Sequence, residues 1–317
     1  ITKNIIFQMN ILIIWAWAFW TAMAQHISYH NTNNTIYGYD SNKEIILHIQ
    51  KTWKHPYFFL YTKLNANITF LDNLSKINKL FDVIILAVPS KYIWVALKNA
   101  MMIFSEKVSI LNLSKWINED TQELTSHIVK SLLKDRLLSY SILSWWMLAE
   151  ELLKGYQLWA DLWSDNFVDA QKIQSILESN NLEINIVENY QLIEFFGAIK
   201  NVILMYMGYL EGIWLSASSI WLFFCKIMNE VPFLLEKLNI DRWNNFRYFS
   251  LDGDLMASYI GNSSNKEFWK LVWSGIKLSE ALQIMEWNKK YIEWIWTLQS
   301  LKGIIMSEKN IVEFKKI

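Results

Sequence analysis

Residues 11–27, ILIIWAWAFWTAMAQHI, decide the fold that this sequence predicts. Ile11 to Ile14 have the pattern of a buried apolar strand, and small residues typical of a helix start follow shortly after it. Between the two stand Trp15, Trp17 and Trp20. Their spacing is that of the glycines in G-x-G-x-x-G, the fingerprint that follows a strand and opens a helix at a dinucleotide site. The segment therefore predicts a strand, turn and helix for a dinucleotide, with tryptophan at every glycine position.

Tryptophan cannot replace glycine in this fingerprint. The first glycine makes the tight turn, the second lets the backbone approach the pyrophosphate, and the third lets the helix pack closely on the strand. Trp is 18 of 317 residues, roughly 6%, and Gly is 9, roughly 3%, against the ~7% glycine of an average globular chain. We therefore hypothesise a genetic code that reads UGA as glycine, so that many or all of the tryptophans are glycine in the natural protein. UGG codons at positions 15, 17, 20, 116, 214 and 269 would exclude this hypothesis.

The same segment has a second interpretation. Lys3, an apolar run from Ile11 to Ala24 and the ending Ala22-Met23-Ala24 have the pattern of a signal peptide with its cleavage site. The run of about fourteen residues is too short to span a bilayer. Later tryptophans also fall where glycine is required, and this favours the dinucleotide interpretation.

The overall composition excludes several classes of protein. A chain with 53% hydrophobic and 19% charged residues can bury a core, so disorder is excluded. Thirty basic and thirty acidic residues leave no net charge for nucleic acid or for an anionic membrane surface, and we expect no nucleic acid partner and no membrane insertion. One cysteine excludes a disulfide framework, and five scattered histidines argue against a metal site.

Strand and helix patterns alternate along the first part of the chain. This alternation predicts a parallel sheet with helices on both faces. From Tyr190 onward the strand patterns fade and long helical stretches follow, so we place the boundary between a dinucleotide-binding domain, residues 1–187, and a helical substrate domain, residues 188–317. The predicted strands are 11–14, 35–40, 81–89, 108–113, 140–144 and 183–187, and the predicted helices include 42–50, 91–104, 121–133, 191–210 and 220–238.

With tryptophan read as glycine, an ordered set of segments resembles one family, the NAD(P)-dependent glycerol-3-phosphate dehydrogenases of the bacterial type. IIWAWAFWTAMAQ becomes IIGAGAFGTAMAQ, and LSKWIN, residues 113–118, matches a T/S-K-G turn. EFFGAIKNVILMYMGYLEGIW, residues 194–214, is similar to the family's G-A-x-K-N-V helix followed by D-G-x-G. Further similar segments run to about residue 303: LAVPSKYI (86–93), SILSWWMLAEELLKG (141–155), LDGDLMAS (251–258), NKEFWKLVWSG (265–275) and YIEWIWT (291–297).

The resemblance implies a fold and a reaction. The fold is α/β, a Rossmann-like doubly wound sheet domain followed by an all-helical C-terminal domain of the 6-phosphogluconate-dehydrogenase-like kind. The reaction is reversible hydride transfer between NAD(P)H and dihydroxyacetone phosphate, which gives sn-glycerol 3-phosphate for phospholipid synthesis in the cytoplasm.

Reduction of a ketone needs a hydride at the carbonyl carbon and a proton at its oxygen. The resemblance assigns the proton donor to Lys200, a second substrate-facing lysine to Lys115, and the residue that orients the Lys200 ammonium to Asp254. Each has an ordinary structural explanation: a solvated surface or loop lysine, or, for Asp254, a helix N-cap. Their joint spacing favours the catalytic interpretation.

The resemblance also assigns a cofactor set. Asp40 lies 20 residues beyond Trp20 at the end of the second strand, where a carboxylate accepts a hydrogen bond from the ribose 2′-hydroxyl. An arginine there would favour the 2′-phosphate, but Tyr39 stands in that place, and this favours NAD over NADP. The predicted cofactor-binding residues are Trp15, Trp17, Phe19, Trp20, Asp40, Ala149 and Glu293.

The predicted substrate site departs from the family pattern. The family carries an arginine and an asparagine before its F-G pair, whereas this chain has Ser264 and Asn265 before Lys266. Lys266 could supply a charge for the phosphate, although without the bidentate geometry of arginine. Asn262 competes with Asn265 for the asparagine role. The predicted substrate-binding residues are Lys115, Ser144, Ser264, Asn265 and Lys266.

Two alternative functions stay open at this point. One is a related two-domain ketopantoate or hydroxy-acid reductase, against which Lys115, Asp254 and the G-D-L segment argue. The other takes the tryptophans as genuine and predicts a non-catalytic, aromatic-rich binding protein. The sequence does not decide the oligomeric state, and a homodimer is the candidate assembly.

Overall fold

A computed structural model describes residues 8–14, 18–77, 80–88, 90–102, 106–114, 124–145, 147, 149–188, 190–237, 249–261 and 264–287. The chain divides into two compact units. The first consists of Ile1–Lys115 and Leu124–Tyr190, and the second of Trp116–Glu123 and Gln191–Ile317.

The first unit is built on one eight-stranded sheet with the order β3-β2-β1-β4-β5-β6-β7-β8. All neighbouring strands are parallel except β6 and β7, which pair antiparallel. The order reverses between β1 and β4, and in sheets of this kind ligands bind beyond the carboxyl ends of the strands at such a point. The strands are β1 Asn10–Ile14, β2 Thr35–Tyr39, β3 Ile68–Leu71, β4 Val83–Leu86, β5 Val108–Asn112, β6 Leu137–Trp145, β7 Leu158–Ser164 and β8 Leu182–Ile186.

β1 lies inside the sheet, between β2 and β4. Ile11 pairs with Ile36 on one side and with Val83 on the other, and Ile11 to Ile14 are buried. Of the apolar run that resembled a signal peptide, residues 11–14 belong to this strand and residues 18–24 belong to the helix that follows it in the described part of the chain. In the described residues of this unit the α-helices are α1 Ala18–His30, α2 Lys43–Thr52, α3 Ser90–Ala100, α4 Thr125–Leu133, α5 Ala149–Lys154 and α6 Phe167–Leu177.

The second unit is helical throughout the part that the structure describes. Its helices are α7 Tyr190–Gly212, which begins at the end of the first unit, α8 Ala217–Lys237, α9 Phe249–Ile260, α10 Ser264–Trp273 and α11 Leu278–Trp287. By length and composition alone α7 and α8 could cross a membrane, but α7 is largely buried within the protein.

Two glycines bring α10 close to α7. A Cβ atom at Gly208 would collide with the carbonyl oxygen of Lys266, and one at Gly212 would lie 2.9 Å from the carbonyl oxygen of Lys270. Since the two glycines are one helical turn apart, they form a flat strip on which the backbone of α10 rests.

The predicted fold class, a Rossmann-like sheet with a helical second part, is confirmed. Two strands were missed. β3 is only four residues long and lies in an asparagine-rich stretch, and β7, LWADLWS, carries an aspartate inside an aromatic run. The expectation of a wholly parallel sheet is wrong at one place, the antiparallel pairing of β6 with β7.

Candidate active site

Lys200 and Asp254, which lie 54 positions apart, form a buried ion pair. Lys200 is on α7 and Asp254 is on α9, and the Lys200 Nζ atom donates to Oδ1 of Asp254. The two side chains are only 11% and 2% exposed. Asp254 lies within α9 and not at its start, so the N-cap interpretation is wrong. A buried lysine requires a partner, and the carboxylate provides it.

Ser258 joins this pair and was missed by the sequence analysis. Its hydroxyl donates to Oδ1 of Asp254 at 3.3 Å and lies 3.4 Å from the Nζ atom of Lys200. The signal was present, because Ser258 follows Asp254 by four residues and therefore lies on the same helix face. The three side chains form one polar cluster between α7 and α9, which we call the lysine cluster.

A second buried cluster surrounds Lys266, and we call it the Glu211 cluster. The Lys266 ammonium donates to the carbonyl oxygen of Tyr259 at 2.6 Å, lies 4.2 Å from the centre of that tyrosine ring, and is 3.6 Å from the Glu211 carboxylate. The more exposed Lys270 reaches the same carboxylate at 3.2 Å. The predicted phosphate cation is thus already paired with a carboxylate inside the protein.

The titration of the Glu211 cluster follows from this pairing. Burial alone would raise the pKa of Glu211, but the Tyr259 hydroxyl and the two ammonium groups outweigh it and hold that pKa below its usual range. Burial and the hydrogen bond to Glu211 raise the pKa of Tyr259 to about 12. Tyr259 therefore stays protonated, and its hydroxyl donates a hydrogen bond to the Glu211 carboxylate.

The predicted cofactor edge lies at the carboxyl ends of β1 and β2. Asp40 directly follows β2, is buried, and accepts a hydrogen bond from the Asn42 backbone N–H at 2.6 Å. Phe19 lies in the first turn of α1, Ala149 is the first residue of α5, and α1 and α5 pack together. Asp40 thus stands one residue beyond β2, the strand that pairs with β1 in the sheet.

Trp20 fills the space between α1 and the sheet. It is buried, its ring stacks on Phe70 with centroids 6.1 Å apart, and two of its ring carbons lie 2.8 Å from where a Cβ atom of Gly38 would stand. Among the residues that the structure describes, its indole nitrogen Nε1 has no hydrogen-bond partner. An unsatisfied buried N–H costs about 1–3 kcal/mol, so tryptophan is a poor fit at this position.

The turn that leads to Lys115 is held by a buried amide. The Asn112 side chain accepts from the Ser114 backbone N–H at 3.0 Å and donates to the Ser114 carbonyl at 3.0 Å and to the Tyr140 hydroxyl at 3.1 Å. The Ser114 hydroxyl in turn donates to the carbonyl of Val88, after β4. These bonds fix the chain at the carboxyl end of β5, immediately before the predicted lysine.

The remaining predicted residues divide into two groups. Ser144 is buried near the end of β6, where its hydroxyl has no partner within the described part of the chain, and Ser264 begins α10 and is half-buried. Lys115, Trp15, Trp17, Glu293, Asn262 and the side chain of Asn265 lie outside the described residues.

These side chains define what the second unit can do chemically. A lysine ammonium held by a carboxylate and a hydroxyl is a positioned proton donor for an oxygen that gains negative charge. Together with a dinucleotide-type sheet, this arrangement is suited to the reduction of a carbonyl group.

Comparison with known proteins agrees with this chemistry. The family model described as the NAD-dependent glycerol-3-phosphate dehydrogenase N-terminus matches residues 10–160. A glycerol-3-phosphate dehydrogenase [NAD(P)+] of Clostridium botulinum is 24% identical, and the match covers 84% of this chain and 79% of that protein. The enzyme of the same name from a Thermotoga species is 26% identical, with 95% and 88% covered.

Solved structures show the same fold. A crystal structure of glycerol-3-phosphate dehydrogenase from Coxiella burnetii superimposes with a TM-score of 0.85 at 16% identity, over 95% of this chain and 90% of that one. A probable 2-dehydropantoate 2-reductase from Bacillus subtilis reaches only 0.52 at 12% identity, over 95% of this chain and all of that one.

In sequence and in fold, this chain is similar to a class of NAD(P)-dependent oxidoreductases. Within this class, the matched family model and the two sequence relatives are all glycerol-3-phosphate dehydrogenases, as the sequence resemblance predicts.

Proposed function

We propose that this protein catalyses reversible hydride transfer between NAD(P)H and dihydroxyacetone phosphate, giving sn-glycerol 3-phosphate. The observation that carries the proposal is the buried contact of Lys200 with Asp254 and Ser258. A charged lysine at this depth is costly unless the charge is used or paired, and here the carboxylate orients it.

The roles of the chain's own residues follow from this geometry. Asp254 and Ser258 hold the Lys200 ammonium, whose proton goes to the substrate carbonyl oxygen as it becomes an alkoxide. NAD(P)H, when bound, supplies the hydride. We assign to Asp40, which is buried, the hydrogen bond from the ribose hydroxyl, and this carboxylate favours NAD over NADP. We assign Lys115 as a second cation at the substrate.

The proposal includes glycine at the tryptophan positions of the fingerprint, and the backbone elsewhere supports it. Trp53 ends α2 with φ 57° and ψ 28°, and Trp214 follows α7 with φ 64°. This left-handed region is usual for glycine after a helix and rare for a bulky side chain. Trp53 matches no sequence motif, so its backbone is support independent of the family resemblance.

The same reasoning gives no support for glycine at two other tryptophan positions. Trp159 and Trp163 lie in the extended strand β7, and their indole N–H groups donate to Glu183 at 2.8 Å and to the carbonyl of Glu188 at 2.9 Å. Neither the backbone nor the hydrogen bonding requires glycine there. Geometry thus supports glycine at 20, 53 and 214 and gives no reason for it at 159 and 163.

The experiment compares two full-length chains, the tryptophan form with the sequence as given, and the glycine form with all 18 tryptophans replaced. We expect the glycine form to bind NADH and to oxidise it when dihydroxyacetone phosphate is added, and the tryptophan form to do neither. The reason is steric, because indoles at 15 and 17 would stand where the fingerprint brings the backbone to the pyrophosphate, and the Trp20 ring fills the space in which α1 packs on the sheet. Equal NADH affinity of the two forms in calorimetric titration would remove the basis of the recoding proposal.

Substrate selectivity distinguishes the proposed enzyme from a related reductase. The glycine form should oxidise NADH with dihydroxyacetone phosphate and not with ketopantoate. The opposite preference would refute the proposed substrate and retain the reaction type. We further place the enzyme in the cytoplasm, where its product would supply the backbone of phospholipids.

A further inference from the structure

Lys266 connects its own helix to two others. Its backbone carbonyl rests on Gly208 of α7, and its ammonium bonds to the carbonyl of Tyr259 in α9 and pairs with Glu211 of α7. Lys266 itself belongs to α10, and it is 93% buried, with 7% exposure. A single side chain therefore ties the helix of Lys200 to the helix of Asp254.

The bond to Tyr259 is close to the lysine cluster along the chain. Tyr259 directly follows Ser258, whose hydroxyl contacts both Asp254 and Lys200. The hydroxyl of Tyr259 also donates to Glu211, so near this residue α9 is held to α7 by a side chain and to α10 by a backbone carbonyl. A rotation of α9 that moved Asp254 and Ser258 away from Lys200 would have to break these bonds as well.

We propose that Lys266 is a positioning residue for the lysine cluster, acting through Tyr259, and not a ligand of the substrate phosphate. The inference rests on the proposed function in one respect, that Lys200 is the proton donor. Lys266 satisfies its charge internally with Glu211 and the Tyr259 carbonyl. A misplacement of about 1 Å at a reacting group can cost 10²-fold in rate, so a residue that only holds α9 in place can control turnover.

The chain offers a matched control in Lys270. Lys270 lies one turn further along α10 and pairs with the same carboxylate at 3.2 Å, but its side chain is 55% exposed. Lys270→Met therefore removes an ammonium from Glu211 and leaves the Lys266 bond to α9 in place, whereas Lys266→Met removes that bond.

The test measures kcat and KM for dihydroxyacetone phosphate in the glycine form. We expect Lys266→Met to lower kcat about tenfold or more with KM changed by less than about threefold, and Lys270→Met to leave both within about twofold. A KM raised about tenfold or more with kcat unchanged would identify Lys266 as a phosphate ligand and overturn the inference.

A double-mutant cycle separates positioning from general loss of structure. If Lys266 acts through Lys200, Lys266→Met should not lower the residual rate of Lys200→Ala any further, whereas an additive loss would show a merely structural role and overturn the inference. If Lys266→Met does not fold, the double variant Glu211→Gln/Lys266→Met, which removes both buried charges, replaces it in the same cycle. Absence of dihydroxyacetone phosphate reduction by the parent glycine form would overturn the proposed function and this inference together.

Discussion

The backbone at Trp214 provides a structural argument for glycine that can be tested by stability alone. Trp214 has φ 64° and its side chain is 86% exposed. A left-handed conformation costs a residue with a side chain about 1–2 kcal/mol, and glycine avoids this cost. Glycine in turn gives up about 0.5–1 kcal/mol because its unfolded chain is more flexible. Since so little of the indole is buried, we expect Trp214→Gly to stabilise the protein by up to about 1 kcal/mol.

Two control substitutions separate the effect of the backbone conformation from the effect of losing the indole. Trp214→Ala also removes the indole but keeps a Cβ atom, so it should give none of this gain. Trp94 lies inside α3, where its ring has the Lys98 ammonium 4.7 Å from its centre. Trp94→Gly should therefore destabilise the protein by about 1 kcal/mol, because glycine is a poor residue inside a helix.

The assay is thermal and urea unfolding of the tryptophan form and its three single variants, followed by circular dichroism at 222 nm. A change of 1 kcal/mol corresponds to about 2–4 °C in the midpoint for a domain of 150–250 residues. The expected order of midpoints is Trp214→Gly, then Trp214→Ala, then Trp94→Gly. A Trp214→Gly variant no more stable than Trp214→Ala would refute the argument from backbone strain.

Three further predictions concern catalysis, substrate and pH. In the glycine form, Lys200→Ala should lower kcat roughly 10²-fold or more, the usual scale for a lost proton donor, while NADH binding is retained. If steady-state kinetics showed only a raised KM, Lys200 would be a binding residue. This chain has Ser264 where the family carries an arginine, and a charged hydrogen bond is worth about 1.5–3 kcal/mol. The KM for dihydroxyacetone phosphate should therefore be about tenfold or more above that of a relative with the arginine. Ser264→Arg should then lower KM with little change in NADH affinity, and an unchanged KM would place the phosphate elsewhere. Burial lowers the pKa of His26 from 6.5 to about 4, although the hydrogen bond from His26 to the Leu177 carbonyl opposes this shift. Up to about 3 kcal/mol of stability is therefore present above pH 6.5 and should be lost as the pH falls towards 4. His26→Asn should remove this pH dependence, as measured by urea unfolding at each pH.

The sequence patterns located most of the sheet because buried parallel strands are continuous apolar runs. β1 and β4, NILII and VIIL, are of this kind, and both were found. β7 was missed because its interior holds Asp161, which the Asn185 side chain satisfies from β8 at 3.1 Å. That partner is 24 positions away, and local patterns carry no information about it.

The sequence predicted some parts of the candidate site and not others. The pairing of Lys200 with Asp254 followed from a family resemblance over two separate segments, and the structure brings the two side chains together. The surroundings of Lys266 could not be foreseen, because its partners Glu211 and Tyr259 lie on two other helices. A lysine in an amphipathic helix is usually exposed, and only tertiary packing decides whether it is enclosed.

The contact of α10 with Gly208 and Gly212 constrains sequence evolution unequally on its two sides. The atoms that rest on the glycines are the carbonyl oxygens of Lys266 and Lys270, which every amino acid possesses, and the Cβ atom of Trp273, which every amino acid but glycine possesses. For this contact alone, α10 can accept almost any substitution, whereas α7 can accept none that adds a Cβ atom. Among related chains, we therefore expect positions 208 and 212 to stay small while position 270 drifts freely, and a side chain gained at 208 would be tolerated only if all of α10 moved away with it.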